Sequence, residues 1–220
     1  MIDHNKINTL PDLLRQSARQ YGSRPALSMH INYRNPTLTY AELYKAARQT
    51  ALWLESQGIQ PGDTVLMNAP SSPNAVVALF GVLLRGAVFV PLNTQSTKEM
   101  VRSIKDSCHA KLLFSHSRAY RDDELNIPTF NIDTLLQTVR DLDADNYQPT
   151  AGGAEDIAQI MYTSGTTGEP KGVVLTHKTM LTTALAVVRN VKMSPHDRLL
   201  SILPLSHIYE QVVGLIAPLC

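Results

Sequence analysis

The stretch TVLMNAPSSPNAVVALFGVLLRGAVFVPL, residues 64–92, carries the clearest structural pattern of this 220-residue sequence. Its first five residues, 64–68, form a mostly apolar run with the length and composition of a buried strand. Ser72 and Pro73 then supply a helix N-cap and a first-turn proline, and Gly86 supplies a stop. The pattern therefore predicts a strand, a buried helix and, after a tight turn, a second buried strand.

An alternative interpretation of part of this stretch is a membrane span, because residues 75–92 are eighteen in number and carry a single charge, Arg85. The proline before this run and the glycine within it favour a helix that ends before a short strand at residues 87–91. We therefore expect no transmembrane span.

Similar helix and strand signals extend through the first half of the chain. Two sequences of the type Ser/Thr-x-x-Glu, at residues 39–42 and 96–99, predict capping boxes, in which side chains satisfy free backbone amides at a helix start. The further predicted elements are a helix over 9–22, a strand over 26–30, helices over 39–57 and 96–107, and a strand over 110–114. Because nearly continuous apolar strands alternate with helices, we predict an α/β fold with a layered, mostly parallel sheet and flanking helices.

The acidic segment at residues 117–156 interrupts this alternation. It holds nine of the nineteen acidic residues and includes the loop-like sequence QPTAGG. One short strand near Phe130 and one short helix near Leu135 are predicted within it. We place a boundary here, with an α/β sheet subdomain at 1–150 and a loop hairpin at 151–220 that begins a second, incomplete α/β subdomain.

Composition and charge exclude several classes of protein. Twenty Lys and Arg residues against nineteen Asp and Glu residues leave a net charge of +1, so no strong field steers the chain toward nucleic acid. Hydrophobic residues make up 44% and charged residues 18%, which excludes wholesale disorder. Cys108 and Cys220 are too few for a disulfide framework, and the N-terminus lacks a signal-peptide pattern. We expect a soluble, cytoplasmic protein, for which peripheral contact with a membrane stays open.

The sequence YTSGTTGEPKGVV, residues 162–174, carries the strongest indication of chemistry. Residues 163–172 contain four hydroxyl side chains, three glycines and one lysine. Glycines let backbone amides approach an anion closely, hydroxyls add donors and a lysine adds positive charge, so the loop suits a polyphosphate. It differs from the P-loop of NTPases, because Lys171 is followed by Gly172 and two β-branched residues that predict a strand. The alternative is a hairpin turn without a ligand, which needs fewer glycines and hydroxyls.

Residues 162–172 closely resemble the phosphate-binding signature of the adenylate-forming superfamily, which comprises acyl-CoA synthetases, amino-acid adenylation domains and firefly-type luciferases. LTYAEL at 38–43 is similar to an early helix start of the family. LRGAVFVPL at 84–92 is similar to its A-G-A-x-x-V-P-L segment, with Arg85 where alanine is usual. LPLSHIYE at 203–210 resembles the segment after the loop, most closely as it occurs in long-chain fatty acyl-CoA synthetases. The resemblance spans essentially the whole chain.

This resemblance implies ATP-dependent activation of a carboxylic acid, here a medium- or long-chain fatty acid, to an acyl-adenylate. The thiol of coenzyme A or of a carrier protein then takes the acyl group. By the resemblance, Lys171 and Gly172 bind the phosphates of ATP together with five loop residues, which are Ser164, Gly165, Thr166, Thr167 and Gly168. Thr163 is expected to bind phosphate and to contribute a ligand to Mg²⁺. Lys171 is also a candidate catalytic residue, because pyrophosphate leaves as an anion.

His207 is the second candidate catalytic residue. The resemblance places it at the floor of the acyl pocket near the α-phosphate, where its ring can donate a hydrogen bond or gate the acyl tunnel. The alternative is a histidine that only packs after a strand end. The other six histidines and Trp53 are expected to be structural. Cys108 and His109 are adjacent, so their side chains diverge and form no metal site by themselves.

The sequence contains no stretch like the superfamily's later Y-G-x-T-E and T-G-D motifs, its hinge or its C-terminal lysine. The chain is therefore expected to be joined to the rest of a longer polypeptide and to be inactive in adenylation by itself. Two other interpretations stay open. One is a fatty-acyl-AMP ligase or an amino-acid or aryl-acid adenylation domain that loads a carrier protein. The other is a truncated, non-catalytic module that keeps phosphate binding or a partner surface.

Overall fold

The structure, a computed structural model, describes residues 7–30, 35–116, 125–150, 152–164 and 170–220, with Ser164 described in its backbone only. The first elements are α1 (Leu10–Tyr21), β1 (Pro25–Ser28), β2 (Thr37–Thr39), α2 (Tyr40–Ser56), β3 (Thr64–Asn68), α3 (Pro73–Leu84), β4 (Val88–Leu92), α4 (Lys98–Cys108) and β5 (Leu112–Ser115). The later elements are β6 (Thr129–Asn131), a 3₁₀ turn (Ile132–Thr134), α5 (Leu135–Val139), β7 (Ile157–Ser164), β8 (Pro170–Thr176), α6 (His177–Val191), a π-helical segment (Glu210–Ile216) and α7 (Ala217–Leu219). The predicted elements of the first half agree with these bounds to within two residues at each end.

The central layer is a six-stranded sheet in the order β6-β5-β3-β4-β7-β8. The first five strands in that order are parallel, and β8 returns antiparallel to β7. Strands β1 and β2 form a separate antiparallel ribbon. The predicted α/β class with a mostly parallel sheet is confirmed. Strands from both sides of residue 150 share this sheet. The subdomain boundary placed at residue 150 stays a prediction.

The strand order reverses direction in the middle of the sheet. The chain moves from β3 to its neighbour β4 and then crosses back to β5 on the other side of β3. In open parallel sheets, such a reversal leaves a crevice at the carboxyl ends of the strands, where ligands bind. Because β7 is parallel to β4, the carboxyl end of β7 lies at this same edge of the sheet.

The stretch at residues 64–92 forms the predicted strand, helix and strand. Ser72 caps α3 by accepting the N–H of Ala75 at 3.2 Å, and Gly86 makes the turn into β4 with φ +74°. All residues of β3 and β4 are buried. The membrane-span interpretation is therefore wrong, and no helix in the described ranges is long and apolar enough to cross a bilayer.

One of the two predicted capping boxes is confirmed and the other, of Ser96 with Glu99, is wrong. Thr39 and Glu42 exchange both bonds, with the Thr39 N–H donating to the Glu42 carboxylate at 2.8 Å. At the start of α4, however, the N-cap is Thr97, whose hydroxyl accepts the N–H of Met100 at 3.2 Å, and Ser96 lies one residue outside. Two adjacent hydroxyl residues compete for one cap position, and the sequence pattern alone chose the wrong one.

Arg85, which stands where the superfamily usually has alanine, is buried with 7% of its surface exposed. Its Nε donates to the carbonyl oxygen of Ile59 at 2.8 Å, and its guanidinium lies 3.9 Å from the carboxylate of Glu55. A buried charge is tolerated when it is paired and hydrogen-bonded. The arginine thus ties the end of α3 to the turn that precedes β3.

Apolar clusters cover both faces of the sheet. The larger one contains α1, α2 and α3, and Trp53 of α2 contributes to it through ring contacts with Phe114 and Phe130, whose centroids lie 5.8 and 4.5 Å away. The predicted structural role of Trp53 is therefore confirmed. The smaller cluster, on the α4 side, includes Tyr162 of β7.

Candidate active site

The candidate site is built on the hairpin of β7 and β8. Thr163 at the end of β7 is the direct cross-strand partner of Lys171, and Tyr162 is the partner of Gly172. The loop that joins the strands, residues 165–169, lies outside the described residues, as does the side chain of Ser164. The phosphate-binding roles of Ser164, Gly165, Thr166, Thr167 and Gly168 therefore stay predictions.

Thr163 and Lys171 are both exposed at the base of this loop. Residues directly opposite each other in an antiparallel pair have Cβ atoms about 5 Å apart and lie on the same face. A hydroxyl and an ammonium group are therefore presented side by side, next to the end of the sheet. Such a pair offers an anion one neutral and one charged donor.

Gly172 is required by packing as well as by its place in the motif. A Cβ atom there would lie 2.9 Å from Cγ2 of Ile160 and 3.3 Å from the ring of Tyr162. The Tyr162 hydroxyl donates to Oγ of Ser107 at 3.0 Å, and burial raises the pKa of this phenol. The glycine thus leaves room for the Tyr162 ring, whose bond to Ser107 ties the hairpin to α4.

A cavity of about 620 Å³ opens beside the hairpin. Apolar side chains make up much of its wall, namely those of Leu92, Met100, Ile104, Met161, Val173 and Ile208. Its polar lining is contributed by Asn93, Gln95, Ser96, Thr163, Ser206 and His207. The cavity therefore combines an apolar volume with a few polar groups, as small-molecule sites do.

His207 is exposed and lines this cavity together with Thr163, so the structure brings these two predicted site residues to one place. It follows a tight turn in which its own N–H donates to the carbonyl oxygen of Pro204 at 2.9 Å. The His207 side chain is exposed and lines the cavity at the carboxyl edge of the sheet. Its catalytic role stays a prediction.

Sequence reasoning missed the polar residues of the loop after β4, Asn93, Gln95 and Ser96, which contribute to the cavity wall. The available signal was their position, because they come directly after a buried strand of a parallel sheet, where ligand-binding loops occur. The side chain of Asn68, at the end of neighbouring β3, donates to the carbonyl oxygen of Asn93 at 2.9 Å. This bond fixes the start of the loop.

His177 shows the structural role that was expected of the histidines outside the site. It is buried at the start of α6, and its Nδ1 accepts the N–H of Leu10 at 3.3 Å. Burial lowers the pKa of His177 to about 4, against smaller opposing effects of Asp156 and Asp12. The ring is therefore neutral near pH 7 and joins α1 to α6.

The neighbouring residues Cys108 and His109 lie at the end of α4. Burial raises the pKa of the Cys108 thiol, so it stays protonated near neutral pH. His109 adopts a left-handed conformation and ends α4. Across the described ranges, no group of three or more His, Cys, Asp or Glu side chains is arranged to hold a metal ion.

Comparisons with known proteins agree with this architecture. The chain is 34% identical to 4-coumarate–CoA ligase 1 of Petroselinum crispum, over 79% of this chain and 35% of the relative. It is 27% identical to a long-chain-fatty-acid–CoA ligase of Rattus norvegicus, over 98% of this chain and 37% of the relative. It is 31% identical to gramicidin S synthase 2 of Aneurinibacillus migulanus, over 69% of this chain and 3% of the relative. The chain thus spans about a third of the length of the curated coumarate–CoA ligases it matches.

Solved structures show the same fold. A fatty acyl-adenylate ligase from L. pneumophila, in complex with acyl adenylate and pyrophosphate, superposes with a TM-score of 0.89 at 22% identity, over 100% of this chain and 39% of that one. VinN in complex with 3-methylaspartate superposes with a TM-score of 0.85 at 25% identity, over 97% of this chain and 61% of that one. The family model described as AMP-binding enzyme matches residues 14–220. The chain therefore belongs to the AMP-binding enzyme family.

Proposed function

We propose that this chain supplies the phosphate-binding hairpin and part of the acyl-binding wall of an AMP-forming acid–thiol ligase. The reaction activates a carboxylic acid with ATP and transfers the acyl group to coenzyme A. The supporting observation is the cavity that Thr163 and His207 line together at the carboxyl edge of the sheet, with Lys171 opposite Thr163. Thr163, at the carboxyl end of β7, also begins the sequence motif whose composition suits a polyphosphate.

In the first step, a carboxylate oxygen forms a bond to the α-phosphorus of ATP while the bond from that phosphorus to the bridging oxygen breaks. Pyrophosphate leaves with the electron pair. Bringing two anions to about 4 Å costs roughly 4 kcal/mol at an effective dielectric constant near 20. In this proposal Lys171, exposed opposite Thr163, opposes this cost by stabilising the charge that develops on the leaving pyrophosphate.

In the second step, the sulfur of coenzyme A forms a bond to the acyl carbon, AMP leaves with the electrons of the broken C–O bond, and the thiol proton passes to solvent. The residues of this chain contribute by holding the adenylate in place. His207 lies on the cavity wall and donates a hydrogen bond to an acyl or phosphate oxygen.

The described residues of this site offer Mg²⁺ one oxygen ligand. The exposed Thr163 hydroxyl offers one neutral oxygen, and Mg²⁺ is commonly held by few protein ligands together with substrate phosphates and water. When bound, the ion neutralises phosphate charge. The role of this chain is then to orient the ATP phosphates through Thr163 and Lys171.

The acid is proposed to be a medium- or long-chain fatty acid. The apolar part of the cavity wall, with Met100, Ile104 and Ile208 among its members, favours an aliphatic chain over a charged side chain. The match to 4-coumarate–CoA ligases makes a hydroxycinnamate the competing substrate. The match to gramicidin S synthase 2 favours a second candidate function, in which an adenylation domain loads a carrier protein instead of coenzyme A.

In the first experiment, the 220-residue chain is titrated with ATP and with pyrophosphate in the presence of Mg²⁺, and calorimetry measures the two affinities. Replacing Lys171→Ala is expected to weaken both affinities about 10- to 100-fold, because a charge-assisted contact to phosphate is lost. The matched control is Lys178→Ala, since Lys178 is also exposed but follows β8 at its opposite end and pairs with Glu155. Equal losses in the two variants would contradict the proposed phosphate site.

The second experiment measures acid-dependent exchange of pyrophosphate into ATP across a panel of acetate, decanoate, palmitate, coumarate and amino acids. The 220-residue chain alone is expected to show no exchange. Detectable exchange would contradict that expectation and would identify the acid directly.

A further inference from the structure

The turn that brings His207 to the cavity is held by side chains from two directions. From one side, Ser71, in the loop between β3 and α3, accepts the N–H of Leu205 at 2.9 Å. From the other side, Nε2 of Gln211 donates to the carbonyl oxygen of Leu205 at 2.6 Å. Both backbone polar groups of Leu205, two residues before His207, are therefore fixed by side chains.

Gln211 also contacts His207 through its backbone. Its N–H donates to the carbonyl oxygen of His207 at 3.2 Å, and the residue belongs to the π-helical segment. Its side chain is completely buried, with 0% of its surface exposed. Short π-helical insertions occur frequently at functional sites.

Stability by itself does not explain a glutamine at this position. Within the described part of the chain, Oε1 of Gln211 is buried without a hydrogen-bond partner, which is unfavourable. A leucine of similar volume would bury no unpaired oxygen. What the leucine could not supply is the bond to the carbonyl of Leu205, so this bond is the feature that distinguishes glutamine from a packing residue.

We propose that Gln211 and Ser71 are positioning residues, which fix the turn at residues 204–207 and thereby hold the His207 ring at the cavity. Ser71 anchors the turn to the loop after β3, at the strand reversal of the sheet. Gln211, in the π-helical segment, fixes the turn through the carbonyl oxygen of Leu205. The proposal rests on the proposed function, because that function gives the placement of His207 beside Thr163 its importance.

The test uses the isotope-labelled 220-residue chain and four variants. Gln211→Leu and Ser71→Ala each remove one bond to Leu205, and Ser71→Thr keeps the accepting hydroxyl as the conservative rescue. Gln49→Leu is the matched control, since Gln49 is likewise buried and its Nε2 donates to the carbonyl oxygens of Arg140 and Leu142, outside the cavity lining.

Two readouts separate positioning from folding. Hydrogen exchange at the Leu205 and His207 amides is expected to rise about three- to tenfold in Gln211→Leu and Ser71→Ala, and to stay unchanged in Ser71→Thr and Gln49→Leu. The NMR signals of the His207 ring, titrated with ATP and Mg²⁺, are expected to respond in the wild-type chain. The response should require about three- to tenfold more ATP in the two variants that lose a bond.

The outcomes distinguish the two proposals. If ATP leaves the His207 ring signals of the wild-type chain unchanged, the proposed function fails at this residue, and the exchange data still decide whether Gln211 and Ser71 order the turn. If exchange and ATP response in Gln211→Leu and Ser71→Ala equal those of Gln49→Leu, neither residue is a positioning residue. If Gln211→Leu does not fold, the comparison of Ser71→Ala with Ser71→Thr decides by itself. The proposal is then overturned if these two variants show the same exchange rates and the same ATP response.

Discussion

The unit β3–α3–β4 and the hairpin β7–β8 lie side by side in one sheet, since β4 pairs with β7, yet they bury their residues to opposite degrees. All residues of β3 and β4 are buried, whereas residues 171–174 of β8 are exposed. Nearly all side chains of the first unit pack in the core. In the second, the Thr163 hydroxyl and the Lys171 ammonium group are exposed instead of packed.

The largest expected effect tests the packing half of this comparison. Replacing Phe80→Ala in α3, where the ring is fully buried, should lower the free energy of unfolding by about 4 kcal/mol, because a large cavity opens in the core. Urea unfolding measures it. In the hairpin, Val174→Ala removes a side chain that is 53% exposed and should change stability by less than about 0.5 kcal/mol. Comparable losses in both variants would remove the distinction between the two regions.

The next effect concerns the place where the hairpin returns to the core. The pKa of His177 falls from 6.5 in the unfolded chain to about 4 in the folded one. The contribution of the neutral ring to the free energy of unfolding is therefore fully present above pH 6.5. This contribution is lost as the pH falls from 6.5 toward 4, and it amounts to roughly 3 kcal/mol. Unfolding curves recorded between these pH values should show the loss. The variant His177→Gln should have a flatter pH profile, and an unchanged slope would mean that another group titrates.

The smallest effect sharpens the account of the hairpin itself. Gly172→Ala places a methyl group 2.9 Å from Ile160 and close to the Tyr162 ring, so it should cost about 1 kcal/mol of stability. Gly153→Ala is the control, since a Cβ there meets nothing closer than 3.8 Å. If thermal unfolding shows equal shifts for the two variants, the close approach at Gly172 has no energetic weight. Binding of pyrophosphate by Gly172→Ala then shows whether the motif needs this glycine for the ligand.

Local signals were sufficient for much of the fold. The capping box of Thr39 and Glu42 and the stop at Gly86 act through bonds to nearby residues, so the sequence pattern identifies them directly. The cap at Thr97 was missed by one residue, because neighbouring hydroxyls give the same local pattern. Arg85 could be recognised only as a departure from the family, since its partners Ile59 and Thr150 lie far along the chain.

The candidate site divides in the same way. The motif at residues 163–172 is contiguous and was found from the sequence, together with His207 through its resemblance to family members. The placement of Thr163 and His207 at one cavity depends on the pairing of β4 with β7 and on the turn held by Ser71 and Gln211. These contacts join residues up to 134 positions apart, and no local pattern encodes such pairs.

The sequence by itself determined the α/β class, the buried unit at residues 64–92 and the donor-rich motif of the hairpin, because each rests on periodicity, caps or composition within a short stretch. Tertiary structure alone decided which strands are neighbours, where Arg85 finds its partners and which side chains share a cavity with Thr163. Those features follow from burial and hydrogen bonding between distant segments. Such contacts form only when the folded sheet and its helices bring these segments together.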